Sequence, residues 1–77
     1  MPNGLKNWKY KDIVLVLKEH NFVLNHTRGS HFYYVGHAGG QYRQVCVPYH
    51  ASVAIKPRTL ASIILQSGIS KEVWMKH

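Results

Sequence analysis

The sequence predicts an α+β fold in the order helix, three strands, helix, with the strands as one antiparallel meander and the helices on one face of it. Three observations carry that expectation. Apolar residues recur at helical spacing in two stretches, one near residues 9–20 and one after Pro57. Between them lie three runs rich in alternating, β-branched or aromatic residues, punctuated by Arg28-Gly29-Ser30 and by Gly39-Gly40. The chain has 77 residues, enough for one domain with a modest core and too few for two lobes with a deep pocket between them. Residues 1–77 are therefore read as a single domain, with residues 1–8 as a flexible start.

The first helix is expected from Lys9 to His20, where Ile13, Val14, Val16 and Leu17 form the buried stripe and Lys18 with His20 suits the negative helix end. Leu15 falls on the side that should face water, as a lone exposed leucine or as a residue covered by a partner. Phe22 to Thr27 and His31 to Val35 read as two antiparallel strands around the Arg28-Gly29-Ser30 turn. The segment His37-Ala38-Gly39-Gly40 supplies a hairpin, and Tyr42 to Val47 forms a third strand ending at Pro48. Tyr49 to Ile55 is a loop. Pro57 opens the second helix, where its missing N–H costs nothing; Leu60, Ile63 and Ile64 face inward and Gly68 ends it. Ser70 then caps a short last helix, with Glu72 in its first turn and Lys76 in its last. The resulting αβββα order, with a short C-terminal helix, matches that of double-stranded-RNA-binding domains, one sheet face covered and the other open.

Ten Lys+Arg against three Asp+Glu give a formal charge of +7, which draws the chain to polyanions, nucleic acid first among them. Cys46 is the only cysteine, so no intrachain disulfide and no thiolate zinc site can form, in keeping with a reducing cytoplasm. The first ten residues lack the apolar core of a signal peptide, and no run approaches the roughly 18 apolar residues that span a bilayer. A cytoplasmic protein without a membrane partner is expected. The six histidines form no His-Glu-x-x-His pattern, and Asp12, Glu19 and Glu72 lie apart on helices, so neither a metal site nor a two-metal nuclease is expected, and no cofactor.

Arg28-Gly29-Ser30-His31 before an aromatic strand, then Val45-Cys46-Val47-Pro48-Tyr49-His50, then Lys56-Pro57-Arg58-Thr59-Leu60 through Leu65-Gln66-Ser67-Gly68-Ile69, resemble HicA toxins from about Lys11 to Ile69. Each motif is weak alone; their order and spacing are jointly specific. The resemblance implies a metal-independent endoribonuclease that cleaves messenger RNA, arrests translation and is held inactive by a HicB-type antitoxin, through which alone it would meet DNA. It maps the catalytic histidine onto His31 and places His50 at the family's Pro-x-His position. Three residues depart from the family pattern: Phe32 stands where a second histidine is common, Arg58 where glycine is common, and His26 near a position that is often basic.

The residues give this reading a chemistry. An imidazole with a pKa near 6.5 can take the proton of an RNA 2′-hydroxyl and return it later, so His31 can act as general base and then acid; water attack is the competing route. Gly29 permits close approach of a phosphate, and Ser30 offers a hydroxyl and an N–H. Alternation sets His31, Tyr33 and Val35 on one face and Phe32 and Tyr34 on the other. If the latter face the helices, a base can stack on Tyr33. Arg28, Arg43, Lys56 and Arg58 come from separate segments and could line a phosphate track. On the residues alone, a histidine opening a strand beside a Gly-Ser turn is a solvated turn residue, and only the resemblance makes it a catalyst. Two other readings remain at this point: a non-catalytic double-stranded-RNA-binding module, and a component of a regulatory complex whose antitoxin supplies the DNA contact. The simplest neutralisation would cover His31 and the basic face with an acidic surface.

Overall fold

The computed structural model of the chain describes residues 7–50 and 53–76. Its elements run α1 (Tyr10–Glu19), β1 (Val23–Arg28), β2 (His31–Ala38), β3 (Gln41–Pro48), α2 (Pro57–Ser67) and α3 (Lys71–Met75). The three strands form one antiparallel sheet in the order β1-β2-β3. This is the αβββα arrangement that the pattern of periods predicts.

Local chemistry starts and stops each element near its expected bounds. The Lys9 N–H donates to the Asp12 carboxylate (3.0 Å), which satisfies one of the orphan donors at the start of α1. At its far end the Phe22 N–H donates to the Leu17 carbonyl (2.9 Å) and turns the chain into β1. Pro57 occupies the first turn of α2 and Gly68 ends it. Ser70 holds the cap position of α3, but its side chain makes no capping bond. β2 runs three residues beyond the expected Val35, because the hairpin needs only Gly39 and Gly40, both with positive φ (62° and 75°) as a two-residue turn demands.

The core lies between the helices and one face of the sheet. Ile13, Val16 and Leu17 of α1, Leu60, Ile63 and Ile64 of α2, and Tyr34, Val45 and Val47 of the sheet are buried together. Phe22 lies flat against Gly36, where any Cβ would come within 2.7 Å of the ring, so a glycine inside β2 is a packing requirement. The helical cover does not reach β1, which is exposed along its whole length. At the sheet's outer edge, the Cys46 N–H of β3 donates to the Gln66 side chain of α2 (3.0 Å), giving that edge donor a partner.

Of the start expected to be flexible, residues 1–6 lie outside the described residues. Trp8 does not behave as a flexible residue: it is 0% exposed and its ring packs on Trp74 of α3 at 5.7 Å between centroids. The physical reason is a partner from the other end of the chain, which gives an isolated N-terminal indole an apolar place to go. Its carbonyl also accepts from the Ile55 N–H (2.6 Å), tying the chain start to the loop before α2. Trp8→Ala is therefore expected to cost about 3–5 kcal/mol, as for a fully buried aromatic. A urea titration reads this as a lower midpoint; an unchanged midpoint would place Trp8 outside the core.

Candidate functional site

The sheet's free face carries the residues singled out for chemistry. Tyr34 and Gly36 point to the helices, so alternation sends His31, Tyr33 and Val35 to the opposite face, as expected. A β-bulge shapes the neighbouring strand. Val23 pairs with Val35 and Leu24 with Tyr34, Asn25 is the extra residue, and His26 pairs with Tyr33 and Arg28 with His31. His26 and Arg28 thereby stand on the same face as Tyr33 and His31. The His26 ring stacks on Tyr33 at 4.4 Å and 8°, and Asn25 Nδ2 donates to His26 Nδ1 (2.9 Å). A neutral His26 then carries its proton on Nε2.

Tyr33 has a second neighbour across the sheet, Cys46 of β3. The Cys46 thiol beside it raises the pKa of the Tyr33 hydroxyl, while the nearby Arg28 guanidinium pulls it the other way. Arg28 is thus close enough to Tyr33 to be felt electrostatically. Sequence reasoning assigned no role to His26 or Cys46 here, since both positions depend on strand register.

His31 sits at the end of the sheet, exposed, with Pro48 as its partner on β3. It lines an open cleft of about 550 Å³ with His50, Val53, Ile55, Lys56 and Thr59. Two backbone bonds form this cleft: the Tyr49 N–H donates to the Ser30 carbonyl (2.7 Å), and the Ile55 N–H to the Trp8 carbonyl (2.6 Å). Together they bring the first turn of α2 to the mouth of the β1–β2 turn. That turn of α2 has Lys56 at its cap without a side-chain capping bond, and no acid. A helix start of this kind directs N–H groups and a positive dipole end at an anion.

The structure therefore gathers His31, His50 and Lys56 in one cleft, with Gly29 and Ser30 immediately before His31, Arg28 across from it, Arg58 in the first turn of α2 and Tyr33 along the open face. Arg43 is not among them. It lies five residues up β3 from Pro48, about 17 Å along the strand. It shares the helix-side face with Val45 and Val47, donates from Nε to the Ala38 carbonyl (3.3 Å) and packs over Gly68. His37 is exposed at the hairpin against Tyr42, and His77 lies outside the described residues. Among the described residues, no helix is long and apolar enough to cross a membrane.

A second, larger groove of about 980 Å³ opens on the helix side of the sheet, between α1 and the aromatic residues Phe32, Tyr34 and Tyr49. Tyr10 bridges its walls. Its ring meets Tyr49 edge-on at 4.9 Å and Phe32 at 5.3 Å, and its hydroxyl hydrogen-bonds the Tyr34 hydroxyl (2.6 Å).

The fold and the cleft together define a small basic αβββα domain with an exposed histidine at the open end of its sheet. Residues 10–69 match the family described as HicA toxin of bacterial toxin-antitoxin, and the chain belongs to that family. No curated protein and no solved structure matches it. Membership makes the chain the toxin of a pair and implies a partner of the antitoxin kind.

Burial, and after it the hydrogen bond with Tyr34, pushes the Tyr10 hydroxyl above the ordinary tyrosine range. A raised folded-state pKa means that this contribution to stability is whole below the ordinary value near 10 and is lost as pH climbs through the raised one. In a spectrophotometric titration, Tyr10 is expected to ionise only in stronger alkali, together with loss of structure. Tyr10→Phe should abolish that late step and cost about 1–3 kcal/mol by leaving the buried Tyr34 hydroxyl unpaired. A Tyr10→Phe protein with unchanged stability would show that the hydroxyl pair contributes nothing.

Proposed function

We propose that the chain is an endoribonuclease that cleaves messenger RNA at the open-face cleft without a metal or other cofactor, in the cytoplasm, and so arrests translation until a HicB-type antitoxin binds it. The observation that supports this most is the position of His31, exposed at a cleft it shares with His50 and Lys56 and bounded by the first turn of α2.

In this reading the scissile phosphate rests against that first turn and the Gly29-Ser30 backbone, with Arg28, Lys56 and Arg58 around it. The His31 imidazole takes the proton of the 2′-hydroxyl, and the 2′-oxygen attacks phosphorus as the P–O5′ bond breaks. The imidazolium returns its proton to the leaving 5′-oxygen. The products are a 2′,3′-cyclic phosphate and a 5′-hydroxyl. An unpaired base stacks on the platform of Tyr33 and His26, which favours single-stranded messenger over duplex RNA. His50 contributes a further polar contact at the cleft.

His31→Ala is expected to lower turnover on single-stranded RNA by about 100- to 10,000-fold while leaving RNA affinity nearly intact, and excess EDTA should not slow the wild type. Equal cleavage by both proteins would remove His31 from the chemistry. Binding without cleavage by either would favour the RNA-binding module suggested by the αβββα order, and a 3′ end other than a cyclic phosphate or its hydrolysis product would reject the 2′-oxygen route. The basic residues separate in a second measurement. Arg28→Ala should weaken RNA binding and reduce the salt slope by about 0.7–1. Arg43→Ala should leave that slope unchanged and lower stability instead. A lost slope increment in Arg43→Ala would mean that RNA crosses the far end of the sheet.

A further inference from the structure

The open face of the sheet does not end at Tyr33. Alternation carries Val35 and His37 of β2 onto the same side as His31 and Tyr33, because Gly36 and Ala38 turn toward the core. The register of β3 sets Gln44 beside Val35 and Tyr42 beside His37. Tyr42 is 62% exposed, and its ring meets that of His37 at 5.5 Å and 70°. An edge-on contact covers one face of one ring only, so a ring surface stays open there. Stabilisation of the hairpin by a cross-strand ring pair accounts for the pairing. It does not account for the position of the pair, in line with His31 and with the stacked rings of His26 and Tyr33.

The spacing of that line suits one kind of polymer. Same-face residues of a strand stand about 6.6 Å apart, so the row His31, Tyr33, Val35, His37 is about 20 Å long. A stacked nucleic-acid strand advances about 3.4 Å per nucleotide, roughly half of that step. A strand that keeps pace with β2 is therefore stretched and its bases are parted, and parted bases stack on aromatic rings. Counted from a phosphate at His31, one base meets Tyr33 and His26, the next passes Val35 with the exposed Gln44 beside it, and the next reaches Tyr42 and His37. Arg28 at the His31 end and the net charge of +7 draw a polyanion onto this face. Arg43, between Tyr42 and Gln44, points to the helix side and bonds the Ala38 carbonyl, so the hairpin end offers contact to a base and not to a phosphate.

We propose that Tyr42 and His37 form a second base-stacking subsite for single-stranded RNA, at the hairpin end of the open face and about 13 Å along β2 from Tyr33. The subsite rests on the RNA reading of the cleft and extends it: the substrate runs along β2 for about three nucleotides on one side of the scissile phosphate.

The test reads affinity for two probes, the dinucleotide UpU and an oligouridine of about eight nucleotides, long enough to cross the face. All proteins carry His31→Ala so that RNA stays intact. Tyr42→Val removes the ring but keeps a residue suited to a strand, and Tyr42→Phe keeps the ring. Tyr42→Val is expected to bind the longer probe about tenfold more weakly and UpU as before. The salt dependence of binding should keep its slope, since no phosphate contact is lost. Tyr42→Phe should bind both probes like its parent. Unchanged affinity of Tyr42→Val for the longer probe overturns the subsite, and loss of self-association in sedimentation in its place assigns the ring pair to a second copy of the chain. An equal loss for both probes also overturns it, by tracing the effect to a disturbed sheet. A parent protein that binds neither probe overturns the RNA reading and the subsite with it. Binding that depends on Tyr42, in a chain whose His31 form never cleaves RNA, rejects the catalytic step and keeps the subsite.

Discussion

The contact between Phe22 and Gly36 fixes the face on which everything else is displayed. Side chains of a strand alternate, so a slip of one residue would send His31 and Tyr33 into the helices and bring Phe32 and Tyr34 to the surface. Gly36 is the one position of β2 that can lie under the Phe22 ring, since a Cβ there would meet it at 2.7 Å. The ring itself is held by the turn out of α1, through the bond from the Phe22 N–H to Leu17. The end of the first helix thus sets the register of the central strand, and that register sets the open face.

Two backbone bonds then convert a displayed histidine into a cleft. The links from Tyr49 to Ser30 and from Ile55 to Trp8 tie down the two ends of the connection between β3 and α2, and the start of α2 shares a cleft with His31. Trp8 is central to this because one residue both fills the core against Trp74 and anchors the loop by its carbonyl. Stability and site geometry are coupled at that point. A lesion there should disturb the cleft as well as the core, whereas a change at the exposed hairpin should touch neither.

Much of this was legible in the sequence because the signals are periodic and local. The stripe Ile13, Val16, Leu17, the Pro57 start, and the paired glycines at 39 and 40 each name an element by themselves, and the alternation of His31 to Tyr34 predicts the two faces. The parts that were not legible depend on distant partners. Nothing near Trp8 says that an indole from residue 74 will meet it. The bulge at Asn25 leaves no hydrophobic signature, yet it is what sets Leu24 on the helix side while His26 stacks on Tyr33. Arg43 is a different case, because its alternation with Val45 and Val47 already places it on the helix side, and reading charge without register put it on the phosphate track.

The same alternation that separates the faces also separates their chemistry. On the open face the sheet presents a stacked His26–Tyr33 pair, Arg28 and His31, groups with free polarity and one exposed ring surface. On the helix side, one residue along in β2, it presents Phe32 and Tyr34, whose faces are closed by Tyr10 and Tyr49 and whose only approachable surface is apolar. A chain this short has no room for two lobes, so its two contrasting surfaces are the two sides of one strand. The excess of positive charge is felt on both sides, because it draws phosphates and carboxylates alike. What distinguishes the two faces is the floor beneath the charge: a stacked ring pair on one, and interlocked rings with aliphatic neighbours on the other.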